Sequence, residues 1–571
     1  MLAYSLLEAS IIVAIFPFIG MLRNPDTLHS IWFLQWAYEA LGFTSERSFL
    51  FTAGSLLLLL LLLTNLIGAI SLWSQQRFGW MRIYSISHRL LAAYLAQPYS
   101  FFLSRSGAEL SKNIHQEVQE IITGLVLPAM DLLSRGITTL LILTILLWMD
   151  WPITLGLVLL FGGTYALVFR LSRSALNTVS HDIVNSNEAR YRITNEAFGS
   201  IKAAKLGRYE NTFLQAYQGP GVEYGRAATR RAVIGGCPRF VLEAVAFGGM
   251  LGVVLVLMQT HGEFGEIIPL VSVYAFAGYR LMPAMARIFM AVARMKAADA
   301  SLAIVLNDLH AAPPLESTGS VPRLAKDVRF NDISLTYEST TTPSLDRVTM
   351  RFPRNANVAI AGPTGAGKTT AVDLLLGLLS PTSGQLLVDE KQIDASNVRQ
   401  WQEHLGYVPQ HIFLLNDTIA ANIALGVEPA RIDQDRLRVV AEMADIHTVI
   451  ESKLDQGWDT IVGEHGIRLS GGQIQRLGIA RALYHNPDVL VLDEATSALD
   501  NATEQRIFDR IHAESNSRTI VMIAHRLSTI RHCDMIYVLD DGRLVDAGIW
   551  EELMDRCSLF RDLARGVDED T

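Results

Sequence analysis

Six long apolar stretches fill the first half of this chain and constrain its fold more than any other feature. A helix needs about 20 apolar residues to cross the roughly 30 Å hydrocarbon core of a bilayer. Each stretch reaches this length, and together they cover residues 2–22, 48–73, 120–149, 150–172, 240–260 and 266–293. A core helix of a soluble protein could account for one such stretch but not for six. The sequence therefore predicts an α-helical membrane domain with six transmembrane helices.

Basic residues are distributed unevenly around these spans. Lys and Arg are frequent after the second and fourth spans, whereas the turns around Asp150 and over residues 259–266 contain none. Cytoplasmic loops of membrane proteins carry an excess of Lys and Arg. Both chain ends are therefore predicted to lie in the cytoplasm. The first stretch has neither a basic n-region nor an A-x-A-like cleavage site, which argues against a secretory signal peptide.

The overall composition agrees with a membrane protein. Half of the 571 residues are hydrophobic and only 18% are charged, and the mean hydropathy is positive. A net charge of −9 gives no reason to expect nucleic-acid binding. Three cysteines, at positions without metal-ligand spacing, are expected to be free thiols: Cys237, Cys533 and Cys557.

A phosphate-binding motif begins the second half. Residues 362–369 read GPTGAGKT, which fits the P-loop pattern G-x-x-x-x-G-K-[ST]. Its glycines let backbone N–H groups surround a triphosphate, its Lys reaches the β- and γ-phosphates, and its Thr hydroxyl reaches Mg²⁺. The predicted ATP-binding residues here are Gly362, Pro363, Thr364, Gly365, Ala366, Gly367, Lys368, Thr369 and Thr370.

About a hundred residues later the chain reads LSGGQ at residues 469–473. A P-loop followed by LSGGQ resembles the ATP-binding-cassette family. This resemblance implies that Ser470, Gly471, Gly472 and Gln473 complete the ATP site of a second copy of the domain. It also places Asp500, in ATSALD, in the loop at the seam between the copies. Every expected motif is intact, which favours a homodimer with two equivalent ATP sites.

A buried apolar strand that ends in two carboxylates is predicted at residues 489–494, which read VLVLDE. Phosphoryl transfer depends on positioning and charge neutralisation, so Asp493 is expected at Mg²⁺ and Glu494 beside the γ-phosphate as the catalytic carboxylate. The resemblance adds Gln410 as a catalytic and Mg²⁺-contacting residue and His525 as a γ-phosphate contact. It also implies that Tyr337 stacks on the adenine. Thr369, Gln410 and Asp493 form the predicted metal set.

The order of the segments resembles an exporter, because importers of the superfamily generally keep spans and ATPase on separate chains. We expect a membrane domain over residues 1–308, a linker over 309–323 and an ATPase domain over 324–571, with alternating strands and helices of α/β type. Family exporters contact the ATPase through short coupling helices, and residues 98–107 and 206–213 match them. An elbow helix usually precedes the first span of such exporters and has no room here, so we expect either that the sequence starts late or that the first span is short and tilted.

Ionisable residues inside spans are costly and normally face a cavity or a partner. Arg280 and Arg287 lie seven residues apart on the sixth span, and Arg135 lies in the third. We predict that these three arginines bind an anionic head group such as a phosphate or pyrophosphate. The alternative is that Arg280 and Arg287 pair with Glu243 or other carboxylates.

The loop between the first two spans is long, and its Thr27–Phe43 segment is predicted to form an amphipathic helix with Trp32 and Trp36 at the lipid boundary. With YRLMP at residues 279–283, this loop resembles flippases for lipid-linked oligosaccharides. The implied function is ATP-driven flipping of such a lipid across the cytoplasmic membrane. Alternatives are a lipid A-type or multidrug exporter, and an ATP-gated channel or regulatory subunit.

Overall fold

The computed structural model describes residues 2–23, 31–260, 264–311, 321, 323–337, 340–463, 469–494, 499–514, 518–523 and 530–568 of the chain. These residues form two compact units. The first, here called the helical unit, comprises residues 1–97 and 105–313, and the second, the sheet unit, comprises residues 98–104 and 314–571.

The regular elements among the described residues up to 311 are helices, and most are long. In chain order they are α1 (Leu2–Arg23), α2 (Trp32–Ala40), α3 (Glu46–Leu95), α4 (Tyr99–Ser104), α5 (Gly107–Met149), α6 (Trp151–Gly199), α7 (Ile201–Gly207), α8 (Glu210–Thr260), α9 (Phe264–Ala297) and α10 (Asp299–His310). Two π-helical turns interrupt α5, at Asn113–Glu117 and Ile122–Val126. The short helix α4 belongs to the sheet unit.

Four helical segments in the described residues are long and apolar enough to cross a membrane, judged by length and composition: Ala3–Leu22, Glu46–Leu95, Gly107–Met149 and Trp151–Val168. The fifth and sixth predicted spans lie in α8 and α9, which have 51 and 34 residues. The helix predicted between the first two spans is α2, and residues 24–30 of that loop lie outside the described part.

The helical unit has an apolar core between α1, α5 and α9. Its buried members are Ile12, Ile142, Leu146, Val273, Tyr274 and Ala277. The turn from α5 to α6 is set by Asp150, whose side chain accepts a hydrogen bond from the Ile153 N–H at 3.2 Å and so caps α6. Pro152 occupies the first turn of α6, where a missing N–H costs nothing.

The described residues of the sheet unit form strands in two sheets: β1 (Asp327–Leu335), β2 (Leu345–Pro353), β3 (Asn357–Ala361), β4 (Ser383–Val388), β5 (Lys391–Gln392), β6 (Leu405–Val408), β7 (Val489–Asp493), β8 (Thr519–Ile523), β9 (Met535–Asp540) and β10 (Arg543–Gly548). The first sheet is antiparallel with order β2-β1-β4-β5. The second has order β10-β9-β3-β8-β7-β6, and only its β10–β9 pair is antiparallel.

Helices accompany these sheets: α11 (Lys368–Leu375), α12 (Val398–Gln402), α13 (Ile419–Ile423), α14 (Gln434–Met443), α15 (His447–Lys453), α16 (Gly471–Tyr484), α17 (Asn501–Glu514), α18 (Trp550–Arg556) and α19 (Ser558–Asp568). Strands β7 and β8 are buried at every residue, which explains their unbroken apolar sequences. The predicted order of a helical membrane domain followed by an α/β domain is confirmed.

Candidate functional site

The P-loop connects β3, in the middle of the second sheet, to α11. Gly362 has φ +151°, and a Cβ there would lie 2.2 Å from the Leu539 carbonyl oxygen. Gly367 has φ +95°, and its Cβ would meet the Ser344 carbonyl oxygen at 2.6 Å. Both positions therefore require glycine, because any side chain would collide with backbone that cannot move aside. The loop leads into the N-terminus of α11, where free N–H groups favour phosphate.

Lys368, the first residue of α11, points back into its own loop. Its Nζ donates to the carbonyl oxygens of Gly362 and Pro363, each at 2.8 Å. Burial lowers the pKa of Lys368, while the nearby carboxylates of Glu494 and Asp493 act in the opposite direction. The following residue, Thr369, is exposed, so its hydroxyl is accessible to a ligand. The ammonium group is thus held by neutral acceptors at the place where a phosphate would sit.

Both predicted carboxylates lie at the end of β7. Glu494 has a left-handed φ of +51°, which is uncommon for a residue with a side chain and typical of functional sites. The Gln410 amide Nε2 donates to Glu494 Oε2 at 2.6 Å. The Tyr407 hydroxyl donates to Asp493 Oδ2 at 3.4 Å. The structure therefore brings Gln410 to the neighbouring residues Asp493 and Glu494, from which it is distant in the sequence.

Tyr337 lies beside the P-loop helix. Its hydroxyl is 3.2 Å from the Thr370 hydroxyl, and either oxygen can be the donor. Tyr99 of α4 is a further neighbour, which the sequence did not suggest. Burial raises the pKa of Tyr99, and the charges of the nearby Asp373 and Tyr337 side chains raise it further. A segment from between two spans therefore lies close to the P-loop helix, within the sheet unit.

The LSGGQ motif forms the start of α16. Ser470 caps this helix by accepting from the Gln473 N–H at 3.4 Å, and Gln473 Oε1 accepts from the Ser470 N–H at 2.8 Å. In this reciprocal capping box, each of the two side chains accepts a hydrogen bond from the backbone N–H of the other residue, which fixes where the helix begins. Ser470 and Gly471 are exposed. Among the described residues, neither shares a hydrogen bond with the P-loop of the same chain.

A carboxylate behind this motif fixes α16 to α17. Asp445 forms ion pairs with Arg510 at 2.8 Å, Arg506 at 3.2 Å and Arg476 at 3.9 Å. Arg476 also donates to the Gly472 carbonyl oxygen at 3.3 Å. The motif is thus tied to the helix that follows the predicted seam loop. Sequence analysis missed this group because its members are distant along the chain.

Asp500 caps α17, and its carboxylate accepts from the Thr503 N–H at 3.1 Å. This hydrogen bonding with Thr503 lowers the pKa of Asp500. His525 lies outside the described residues, so the structure gives no position for this predicted contact. Residues 312–320 and 322 of the predicted linker also lie outside them.

In the helical unit, Arg280 of α9 has an ionic partner that sequence analysis overlooked. Its Nη1 donates to Glu8 Oε1 of α1 at 2.8 Å. Arg135 of α5 is close to the same carboxylate, with Nη1 3.9 Å from Glu8 Oε2. The open alternative of pairing with a carboxylate therefore holds for Arg280, although that carboxylate is Glu8. A lone acidic residue in an apolar span was itself a signal of a partner.

Arg287 behaves differently from Arg280. It is exposed and has no ion pair within the part of the chain that the structure describes. The Nε atoms of Arg135 and Arg280 are buried, and their N–H groups donate to no hydrogen-bond acceptor among the described residues. Asp131 lies near this group, with Oδ1 3.7 Å from Arg135 Nε. The three predicted arginines are thus not equivalent, and they retain unused hydrogen-bonding capacity.

Comparison with known proteins agrees with this geometry. Residues 345–497 match the family described as "ABC transporter", and residues 3–277 match "ABC transporter transmembrane region". A protein named "ATP-dependent lipid A-core flippase" from Ralstonia nicotianae is 31% identical over 84% of this chain and 81% of its own length. One of the same name from Saccharophagus degradans has the same identity and coverage.

A solved structure gives the same result for the fold. "Structure of a bacterial Atm1-family ABC exporter with ATP bound" superposes with a TM-score of 0.81 at 25% identity, and covers 99% of this chain and 97% of that one. The P-loop, the carboxylates at the end of β7 and the LSGGQ helix all lie within the matched residues 345–497. The chain therefore belongs to the ATP-binding-cassette transporter family, as an ATP-hydrolysing transporter of the exporter type.

Proposed function

We propose that this exporter uses ATP to move a phosphorylated glycolipid from the inner to the outer leaflet of the cytoplasmic membrane, with its ATPase domains in the cytoplasm. Lipid A-type lipids and polyprenyl-pyrophosphate-linked saccharides share this chemistry: a long apolar tail and a phosphorylated sugar. The names of the similar proteins favour the lipid A type. The observation that carries the proposal is the pair Arg135 and Arg280, which are partly buried on long helices and lie beside the same buried carboxylate, Glu8.

Guanidinium groups at such a position suit a phosphate. The side chains of Arg280 and Arg135 are 17% and 20% exposed, and they share one buried carboxylate. An arginine offers five N–H donors in a planar fork that matches phosphate oxygens. Arg287, two helical turns beyond Arg280, adds an exposed cation. A phosphorylated head group would use donors that the protein itself does not satisfy.

In the sheet unit, each predicted residue has a defined task. The Lys368 ammonium exchanges its carbonyl acceptors for phosphate oxygens, and the P-loop N–H groups surround them. Glu494 polarises the attacking water, and Gln410 orients that carboxylate. The Thr369 hydroxyl and the Gln410 and Asp493 oxygens are the hard donors that Mg²⁺ prefers, and bound Mg²⁺ would neutralise phosphate charge.

The complete ATP site would need a second copy of the chain. Ser470 to Gln473 would meet the nucleotide on the partner's P-loop. This fits the exposure of Ser470 and Gly471 and the absence, among the described residues, of a hydrogen bond from either one to the P-loop of the same chain. Tyr337 would stack on the adenine, and Asp500 and His525 would lie at the seam. Helix α4, within the sheet unit, would carry closure of the ATPase dimer to the spans.

Purified protein in liposomes provides the test. Lipid A, a polyprenyl-pyrophosphate disaccharide and a hydrophobic dye are placed in separate vesicles, and movement between leaflets is followed with and without ATP. We expect ATP-dependent movement of a phosphorylated lipid and none of its dephosphorylated analogue. The variant Glu494→Gln serves as the control without hydrolysis.

Each alternative predicts a different pattern. Movement of the dye but of neither phosphorylated lipid would indicate a multidrug exporter and contradict the proposed substrate. Ion conductance that does not depend on lipid substrate would indicate an ATP-gated channel. Movement of only one phosphorylated lipid would identify the carrier.

A further inference from the structure

We propose that Glu8 is a specificity-determining residue, which holds Arg280 until a sufficiently anionic head group takes its place. The inference rests on the proposed function, since it concerns the same arginines, but it assigns a role to a residue on a different helix. The exchange involves no covalent step. Glu8 passes from Arg280 to Arg135, and Arg280 passes from Glu8 to the substrate.

The Glu8 carboxylate is held at both oxygens. Oε1 accepts from Arg280 Nη1 at 2.8 Å and from the Tyr4 hydroxyl at 3.2 Å. Oε2 accepts from the Thr138 hydroxyl at 3.4 Å and lies 3.9 Å from Arg135 Nη1. The Glu8 side chain is only 4% exposed. Charge is expensive to bury without partners, so Glu8 must keep at least one guanidinium neighbour.

The two guanidinium groups are unequal partners for Glu8. Arg280 is at hydrogen-bond distance, whereas Arg135 is about an ångström farther away and has Asp131 as a second carboxylate. A small movement of the Glu8 side chain would replace one partner by the other. The carboxylate would therefore remain compensated while Arg280 becomes available.

The surroundings of the cluster favour a strong anion over a weak one. The cluster of Glu8, Arg135 and Arg280 lies next to the apolar core of the helical unit. The buried core residues Ile12, Ile142 and Ala277 lie one helical turn along their helices from Glu8, Thr138 and Arg280. Away from water, charge–charge interactions are strengthened. A phosphate with more than one negative charge can displace the Glu8 carboxylate, whereas a zwitterionic or neutral head group gains too little. Glu8 thereby prevents common bilayer lipids from occupying the arginines.

The exchange also links substrate to helix movement. Glu8 lies on α1, Arg135 on α5 and Arg280 on α9, so the ion pair connects the first predicted span to the sixth. When Arg280 turns to the substrate, α9 loses this connection to α1. Loss of a contact that favours one conformation shifts the population toward the other.

Replacement of Glu8 tests the proposal. Glu8→Gln keeps the shape and acceptor but removes the charge. In nanodiscs, we expect diphosphoryl lipid A to bind the variant about tenfold more tightly than the wild type, since close charge pairs couple by this much or more. Dephosphorylated lipid A should bind both proteins equally. Glu8→Asp retains the charge and should stay near the wild type, and Glu39→Gln on exposed α2 controls for loss of a carboxylate elsewhere.

Unchanged or weaker lipid A binding by Glu8→Gln would overturn the proposal. Should that variant fail to fold, Tyr4→Phe removes one hydrogen bond to Glu8 and keeps its ring beside Arg135, 5.5 Å from the guanidinium carbon. With one donor fewer, the Glu8 carboxylate depends more on Arg280, so we expect lipid A binding that is weaker by a few-fold in that variant, and equal or tighter binding there would also overturn the proposal. The proposed transport function fails separately, if wild-type protein moves no phosphorylated lipid while the binding difference persists.

Discussion

We propose one phosphate-binding cation in each unit of this protein, and the two cations have different hydrogen-bond partners. In the sheet unit, the Lys368 ammonium donates to the carbonyl oxygens of Gly362 and Pro363. In the helical unit, the Arg280 guanidinium donates to the carboxylate of Glu8. A carbonyl has no net charge, so a triphosphate replaces it easily, whereas a carboxylate must be outcompeted. On the proposed assignments, phosphate therefore replaces a neutral partner at Lys368 and a charged partner at Arg280.

The sharpest test on the sheet side is Glu494→Gln, which should reduce steady ATP hydrolysis about 100-fold or more, in line with the loss of a catalytic base. ATP binding should remain, because Lys368 and the P-loop glycines are unchanged. Phosphate release and nucleotide binding by the purified protein measure both properties. Glu551→Gln on exposed α18 is the matched control. Sustained hydrolysis in Glu494→Gln would mean that another group activates the water.

On the helical side, a double-mutant cycle tests the ion pair. Arg280→Ala leaves the Glu8 carboxylate with Arg135 as its remaining guanidinium partner, so the expected cost is about 1.5–3 kcal/mol of stability, the value of one charged hydrogen bond. Adding Glu8→Gln should recover most of this loss, while lipid transport stays impaired. Thermal unfolding in detergent and leaflet movement give the two readouts. If the double variant is no more stable than Arg280→Ala, the two residues do not interact as described.

A smaller effect is expected from Arg287→Ala, whose side chain is exposed. Removing it should impair transport of a phosphorylated lipid by about tenfold, the value of one lost charged hydrogen bond, with little change in stability or basal ATP hydrolysis. Parallel assays of transport and hydrolysis check this. An equal loss of both activities would assign Arg287 a structural role and remove it from the substrate site.

Asp445→Ala should destabilise the sheet unit by about 1–2 kcal/mol, a modest value because two of its three arginine partners are half exposed. Arg476 would keep its hydrogen bond to the backbone carbonyl oxygen of residue 445 at 2.7 Å, but Arg506 and Arg510 would lose their ion pairs, so α17 would be held less firmly against the LSGGQ helix and the KM for ATP should rise. Calorimetry and ATPase kinetics measure the two effects. Exposed Asp455→Ala is the control, and equal behaviour of the two variants would show that Asp445 does not position the LSGGQ motif.

The smallest expected effect concerns the reactivity of two thiols, of which one is buried in the sheet unit and the other is exposed on α8. Burial raises the pKa of Cys533 to about 12, whereas Cys237 of α8 is exposed. A thiol with a raised pKa binds its proton more tightly when folded, so unfolding becomes easier as pH rises between about 9 and 12. At pH 8, maleimide should label Cys237 and spare Cys533. Protection of Cys237 would indicate that a second copy or lipid covers α8.

The ATP site could be predicted from sequence because its parts are local or lie on buried strands. The buried strand predicted at residues 489–494 is observed over Val489–Asp493, so the first of its two carboxylates lies in the strand and the second directly follows it. Continuous apolar runs in a parallel sheet leave few alternatives, which explains this accuracy.

The cluster of Glu8, Arg135 and Arg280 in the helical unit could be predicted only in part. The cost of burying arginine pointed to Arg135 and Arg280, but the partner depends on which helices meet. Glu8 lies 272 positions from Arg280 along the chain, and no periodicity links them. The same limit applies to Asp445 and its arginines. Pairings between distant segments arise from packing, which a single sequence does not specify.

The membership of α4 in the sheet unit has a practical consequence for dissecting the protein. A fragment that starts after the linker would contain the P-loop, both sheets and the LSGGQ helix, but not Tyr99, which lies near the P-loop helix in the intact chain. The ATPase kinetics of this fragment would therefore describe a site that lacks Tyr99. Supplying residues 98–104 as a peptide, or grafting them onto the fragment, would restore the residues that belong to the sheet unit in the intact chain.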